Sequence, residues 1–104
     1  MFLFVLGLNC EVINLRTLRP LDRDGILKSV MKTHRLVTVE EGWPQCGVGA
    51  EIAALCMESE AFDQLDAPVQ SVCATDVPMP YCVNLENLVL PQTKDVVAAI
   101  ERII

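Results

Sequence analysis

The sequence predicts an α/β domain built on a largely parallel sheet covered by helices on both faces. Three observations lead there. Strand-like and helix-like stretches alternate along the 104 residues with short connections. Leu36-Val37-Thr38-Val39 reads as a buried strand, and Val69 to Ala74 as a further strand. Between them, Glu40-Glu41-Gly42-Trp43-Pro44-Gln45-Cys46-Gly47-Val48-Gly49-Ala50-Glu51-Ile52 reads as a turn feeding an amphipathic helix, half of a βαβ unit. In open α/β sheets, functional surfaces collect beyond the carboxyl ends of strands, so this turn is the first place to look for chemistry.

Taken in order, residues 1–9 form an atypical apolar segment that reads as a strand. It has no basic flank or small-residue cleavage site and falls far short of the ~20 residues a membrane span needs. Its Phe2-Leu3-Phe4-Val5-Leu6 run is uncharged, free of proline and β-prone, the composition of a sticky sheet edge. Glu11 to Leu15 reads as a second strand, ended by Pro20. Asp22 is placed to cap a helix with Ile26, Leu27, Val30 and Met31 on one face, Asp24 in its first turn, and Lys28 and Lys32 near its end. After Leu36–Val39 the next helix should run from Gly47 to about Glu60, with Phe62 and Leu65 packed behind it. Asp66-Ala67-Pro68 turns the chain into the Val69–Ala74 strand. Pro78 and Pro80 deny backbone donors and hold Asp76 to Tyr81 extended, as a connector or a rigid interface loop. Pro91 is placed to open a last helix with Val96, Val97, Ile100, Ile103 and Ile104 on its face.

A formal net charge of −6 argues against nucleic-acid or anionic-membrane partners, which want a basic patch, and suits a basic protein partner. Cys10, Cys46, Cys56, Cys73 and Cys82 show neither C-x-x-C spacing nor a paired set of histidines. They read as reduced, partly buried thiols rather than zinc ligands or a redox pair. Glu40 and Glu41 are the residue types of a general acid and base, but no orienting group accompanies them, and solvated carboxylates at a strand end are the simpler reading. Gly47-Val48-Gly49 opens a helix as a phosphate cradle does, yet it lacks the third glycine of a dinucleotide fingerprint and the lysine of a P-loop. His34 follows a helix and reads as a surface residue rather than a base.

Val39-Glu40-Glu41-Gly42-Trp43-Pro44-Gln45, followed by Gly47-Val48-Gly49-Ala50-Glu51-Ile52, resembles the signature of the pyruvate dehydrogenase β-subunit family, part of the thiamine-diphosphate-dependent decarboxylating component. Three further segments agree in order: Glu11-Val12-Ile13-Asn14-Leu15-Arg16-Thr17-Leu18-Arg19-Pro20-Leu21-Asp22, Leu65-Asp66-Ala67-Pro68, and Asp76-Val77-Pro78-Met79-Pro80-Tyr81. The resemblance covers residues 10–104, which implies a partial carboxy-terminal domain of transketolase type, a three-layer sandwich with a mostly parallel sheet that lacks its first strand and helix. Residues 1–9 stand where those elements would be, as an alternative start, a fragment or a gene-model error would leave them. No Lys or Arg precedes Arg16, so no transit peptide is visible, although the family implies the mitochondrial matrix.

The resemblance also implies the reaction of the intact enzyme, pyruvate to carbon dioxide and acetyl-CoA through thiamine diphosphate with magnesium and a lipoyl arm. The cofactor glutamate of the β subunit's other domain and the Gly-Asp-Gly metal motif of the α subunit are absent here. The expectation is therefore no catalytic, cofactor-binding or metal-binding residue and no cofactor bound by this chain alone. What the resemblance leaves is assembly with the α subunit and a full β subunit, and docking to the subunit-binding domain of the dihydrolipoyl acyltransferase. Two positions carry docking over: Asp66, an acidic residue meeting a basic partner, and the chain end Ile104. An enzyme subunit and a non-catalytic interaction module that binds the complex without activity stand as the two readings. A small redox protein is disfavoured by the cysteine spacing.

Overall fold

The computed structural model describes residues 2–5, as backbone, and residues 7–104. Strands β1 (Phe2–Val5) and β2 (Leu8–Glu11) form an antiparallel hairpin in the register Phe2↔Glu11 to Val5↔Leu8, with Gly7 at φ +76 in its turn. A loop with a cis Arg19–Pro20 peptide leads to α1 (Arg23–Thr33). Then come β3 (Val37–Val39), α2 (Val48–Met57), a 3-10 helix (Glu60–Gln64), β4 (Gln70–Val72), α3 (Val83–Val89) and α4 (Thr93–Glu101). Strands β3 and β4 pair in parallel, Val37↔Gln70 to Val39↔Val72, with α2 as their crossover. The α/β class read from the sequence is the class observed.

Helix α1 begins and ends where its residues say it should. The Asp22 carboxylate accepts the Gly25 N–H at 3.1 Å, and the chain leaves the helix through His34 at φ 64, whose N–H donates to the Val30 carbonyl at 2.7 Å. Ile26 and Val30 on its inner face meet Ile52 and Cys56 of α2 and Ala61 of the 3-10 helix, the buried centre of the molecule. Helix α4 packs against β3 and β4. Its first turn is closed by the Asp95 carboxylate, which accepts the Gln92 N–H at 2.8 Å.

Several expectations move. The strand expected over Glu11–Leu15 is not formed: pairing stops at Glu11, because Phe2–Val5 draws Leu8–Glu11 into the hairpin, and Val12–Leu15 run on as loop. The apolar segment is thus a hairpin rather than one strand, Phe2–Val5 pairing with a strand that Leu8 and Asn9 begin; Met1 and Leu6 lie outside the described residues. Helix α2 stops at Met57, and Ser59 starts a separate 3-10 turn by accepting the Ala61 N–H at 3.3 Å. The last helix begins at Thr93, not at Pro91. Helix α3 has no counterpart in the sequence reading. Its Leu85, Leu88 and Val89 stand at helical spacing, a signal the sequence reading passed over, and of these only Val89 is buried.

Glu11 is tied to α1 by Lys32, whose Nζ lies 2.6 Å from Oε2. The ammonium holds the Glu11 carboxyl below its ordinary 4.5, against the opposing pull of desolvation. No described helix is long and apolar enough to cross a membrane.

Ile52, 7% exposed at the α1–α2 contact, tests this core. Ile52→Ala is expected to lower unfolding stability by about 3 kcal/mol in urea titration, the loss typical of a truncated buried aliphatic whose cavity does not collapse. A loss under about 1 kcal/mol would mean that α1 and α2 are not packed as described.

Candidate functional site

At the carboxyl end of β3 the two adjacent glutamates part. Glu40 extends the ladder by donating its N–H to the Val72 carbonyl at 3.0 Å, and its side chain folds back onto the start of α2. There Oε2 accepts the Val48 N–H at 3.2 Å and Oε1 the Gly49 N–H at 3.1 Å. A carboxylate on the free amides at a helix start satisfies orphan donors and meets the positive end of the helix dipole. Glu41 is exposed and makes no hydrogen bond or ion pair with any described residue. The pair is therefore no acid–base couple: one member is a structural cap and the other is solvated.

The glycines serve this contact. A Cβ on Gly49 would stand 2.7 Å from Thr38 Oγ1, and one on Gly47 2.6 Å from Glu40 Oε1, so both positions are bare to let strand and helix close around the carboxylate. The phosphate-cradle reading gives way for the same reason: the protein's own anion holds the amides a phosphate would use. Cys73 points its Sγ at Glu40 Oε1 from 3.7 Å. Burial and the neighbouring carboxylate push its thiol above the ordinary 9.0, and burial does the same for Cys56, the opposite of an activated nucleophile. All five cysteines are free.

The thiamine diphosphate and magnesium implied by the resemblance do not fit these residues. The glycine-bearing helix start carries an internal carboxylate, and among the described residues no group of three or more His, Cys, Asp or Glu could hold a metal ion. No catalytic step is derived through them.

The loop beyond Glu40 is tied to the loop beyond β4. Ala74 donates its N–H to the Gly42 carbonyl at 3.0 Å, and Trp43 Nε1 donates to the Val77 carbonyl at 3.1 Å. Trp43, Val77, Met79 and Tyr81 are all exposed, as are Val83, Leu85 and Leu88 just after them.

The two positions expected to dock, Asp66 and Ile104, lie at the other end of the strands. Asp66 donates its N–H to the His34 carbonyl at 2.9 Å, and His34 Nδ1 donates to the Gln64 carbonyl at 2.8 Å, so the imidazole staples two turns together. The Asp66 carboxylate is exposed and makes no hydrogen bond or ion pair with a described residue. The next residue, Arg35, donates Nε to the Ile103 carbonyl, which fixes Ile103 in the core (7% exposed) and leaves Ile104 60% exposed. Consecutive residues of the α1–β3 turn thus anchor both segments that carry the docking positions. Sequence reasoning named Asp66 and Ile104 but missed His34 and Arg35 as their anchors, since a ring and a guanidinium that bond distant carbonyls leave no motif.

Comparison with known proteins adds the following. The family model described as the transketolase C-terminal domain matches residues 5–96. The chain is 58% identical over 97 residues to the mitochondrial pyruvate dehydrogenase E1 component subunit beta of Dictyostelium discoideum, covering 93% of this chain and 27% of that protein. It is 58% identical over 96 residues to the mitochondrial human subunit of the same name, covering 92% and 27%. Against the Rickettsia bellii subunit it is 58% identical over 97 residues, covering 93% and 30%. The chain thus spans less than a third of the length of these relatives.

Glu40→Ala strips the cap from α2 and is expected to lower stability by about 1–2 kcal/mol in urea titration, while Glu40→Gln keeps one acceptor oxygen and loses less than half of that. Equal losses for the two variants would show that the carboxylate, not the acceptor geometry, dominates.

Proposed function

The chain belongs to the transketolase C-terminal domain family, and from that premise we propose that it is a partial β subunit of the pyruvate dehydrogenase complex whose work is assembly and docking. The similarity to pyruvate dehydrogenase E1 β subunits supports the place in the complex. In that reading the intact enzyme converts pyruvate to carbon dioxide and acetyl-CoA with thiamine diphosphate, magnesium and a lipoyl arm. This chain meets the α subunit and a full β subunit in a heterotetramer, in the mitochondrial matrix, and offers its Asp66 corner to the acyltransferase's subunit-binding domain.

The observation that carries the docking reading is the Asp66 carboxylate itself. Its main chain is fixed by His34, while its charge is exposed and unpaired. The net charge of −6 adds to the field a basic partner would feel, and such complementarity sets encounter rate and register more than affinity. The exposed apolar side chains from Trp43 and Val77 to Leu88 suit subunit contacts, since an α/β domain that stands alone seldom leaves so many uncovered.

The second reading, a non-catalytic module that binds the complex without turning over pyruvate, is favoured by the filled helix start at Glu40. In both readings this chain alone neither binds thiamine diphosphate nor decarboxylates pyruvate. Calorimetry with magnesium present is expected to show no heat of cofactor binding, and micromolar affinity would overturn this part of the proposal.

Docking is tested at Asp66 by calorimetry against the isolated subunit-binding domain at two salt concentrations. Asp66→Lys is expected to weaken binding by ~2 kcal/mol or more where the pair is desolvated and by under ~1 kcal/mol on a wet rim. Binding should also weaken with salt, because exposed charges are screened within ~8 Å at physiological ionic strength. Asp66→Asn keeps the side chain's shape and removes its charge. Unchanged affinity of that variant at low salt would show that Asp66 does not dock.

A further inference from the structure

Charge is unevenly placed along this chain. Arg16, Arg19, Arg23, Lys28, Lys32 and Arg35 are six of its eight lysines and arginines, and only Asp22 and Asp24 among the 14 acids share that stretch. Between Arg35 and Lys94 there is no lysine or arginine at all, against nine acids. The net charge of −6 therefore conceals a positive region. Exposed charges are screened within ~8 Å at physiological ionic strength, so an approaching partner feels the local sign rather than the sum.

Within that region the ties are unequal. Lys32 is paired with Glu11, and Arg35 Nε bonds the Ile103 carbonyl. Arg23 stands 4.0 Å from Glu51 with both side chains more than half exposed, a contact that neutralises little. The Asp22 carboxylate is turned onto the Gly25 amide, and Asp24 is exposed in the first turn of α1. Arg16, Arg19 and Lys28 are exposed, and their side chains make no hydrogen bond or ion pair with a described residue.

The loop before α1 sets two of these cations in place. Leu15 and Leu21 pack against the core at its two ends, and residues 16–20 between them are all exposed. Side chain and main chain both close it. Thr17 Oγ1 donates to the Pro20 carbonyl at 2.9 Å, and the Thr17 N–H donates to the Leu15 carbonyl at 2.6 Å. Arg16, at the centre of that three-residue turn, gives its own N–H to Asn14 Oδ1 at 3.2 Å and takes φ 61. Such a conformation strains a residue with a Cβ and persists where the surroundings hold it. The result is a stapled tip in which Leu18, 62% exposed, stands between two unpaired arginines in sequence.

We infer that this tip, Arg16-Thr17-Leu18-Arg19, is a docking site for an acidic, partly apolar segment of another polypeptide. A guanidinium takes a carboxylate through two parallel bonds, and arginine is enriched among the residues that carry binding energy at interfaces. A loop already held in shape also loses little freedom on binding. Leu18 gives the contact an apolar centre that a polypeptide side chain can meet. Nucleic acid is the poorer match: no Phe, Tyr or Trp lies among residues 12–35 to stack a base, and a long polyanion running past the tip meets the acids of the rest of the chain. The partner is opposite in charge to the one proposed at Asp66, and binding here does not depend on that role.

The test uses the whole chain and a fluorescein-labelled synthetic peptide, Gly-Asp-Glu-Leu-Glu-Asp-Gly, beside the same peptide with Asn and Gln in place of its acids. Fluorescence anisotropy should show saturable binding of the acidic peptide that weakens with added salt, and no binding of the neutral one. Arg16→Ala and Arg19→Ala should each weaken binding at least about fivefold and Leu18→Ser at least about threefold, whereas Lys94→Ala, on α4, should change it less than about twofold. Amide NMR shifts of the unmodified chain give a readout that needs no variant: on adding the acidic peptide they should move chiefly between Asn14 and Arg23. No saturable binding, equal losses for Lys94→Ala and Arg19→Ala, unchanged affinity for Leu18→Ser, or shifts spread over the whole molecule would each overturn the inference. So would a single-stranded oligothymidylate of equal charge that binds as tightly as the peptide, or a concentration-dependent dimer broken by Arg19→Glu, since the occupant would then be nucleic acid or a second copy.

Discussion

The parallel pairing of β3 with β4 is the constraint from which the rest of the molecule is arranged. Two strands of three residues each, joined by the α2 crossover, define an end at which both chains leave and an end at which both arrive. At the leaving end, Glu40 turns back to cap α2, and the Trp43 indole bonds the Val77 carbonyl across to the other loop. At the arriving end, the His34-Arg35 turn before β3 holds the Asp66 turn before β4 and, through Ile103, the end of the chain. Open α/β sheets direct attention to the leaving end. Here Glu40 is spent on internal bonds and much of that end is an apolar surface, while the Asp66 carboxylate sits exposed at the arriving end.

What the sequence made legible were features with a local cause. Asp22 caps α1 because a short carboxylate before a helix has free amides within reach, whatever the rest of the chain does. Leu36–Val39 and Val69–Ala74 read as strands because short apolar runs between turn signals have few alternatives, though the hydrogen-bonded ladder takes only Val37–Val39 and Gln70–Val72. The helix after Gly47 was legible from its apolar spacing. Its early end at Met57 was not, because Ser59 competes for the next amide through its own hydroxyl.

Features that depend on a distant partner were not legible. Glu11–Leu15 has the pattern of a strand, but pairing is a property of two segments, and Phe2–Val5 takes the first residues of this one. Helix α3 is two turns long, and its spaced Leu85, Leu88 and Val89 are too short a run to stand out beside the prolines that flank it at Pro80 and Pro91. His34 was read as a surface residue and nothing was read into Arg35, although each bonds a carbonyl far along the chain. At Asp66 the sequence named the residue, and in the structure its carboxylate bonds no amide of its own turn.

Glu40 and Asp66 show why a carboxylate's role is decided by the amides around it rather than by its neighbours in sequence. Glu40 follows a strand, and three hydrogen-bond donors converge on it: two helix amides and the Cys73 thiol. Its charge is consumed in holding strand to helix, and a diphosphate would have to displace it to bind there. Asp66 precedes a strand in a turn whose own N–H is given to His34, and no helix begins within its reach. With no internal donor, its charge remains in solvent, available to a cation brought by another molecule. One fold therefore uses the same functional group in opposite ways, because the free amides of α2 lie against Glu40 and Asp66 accepts from no amide among the described residues.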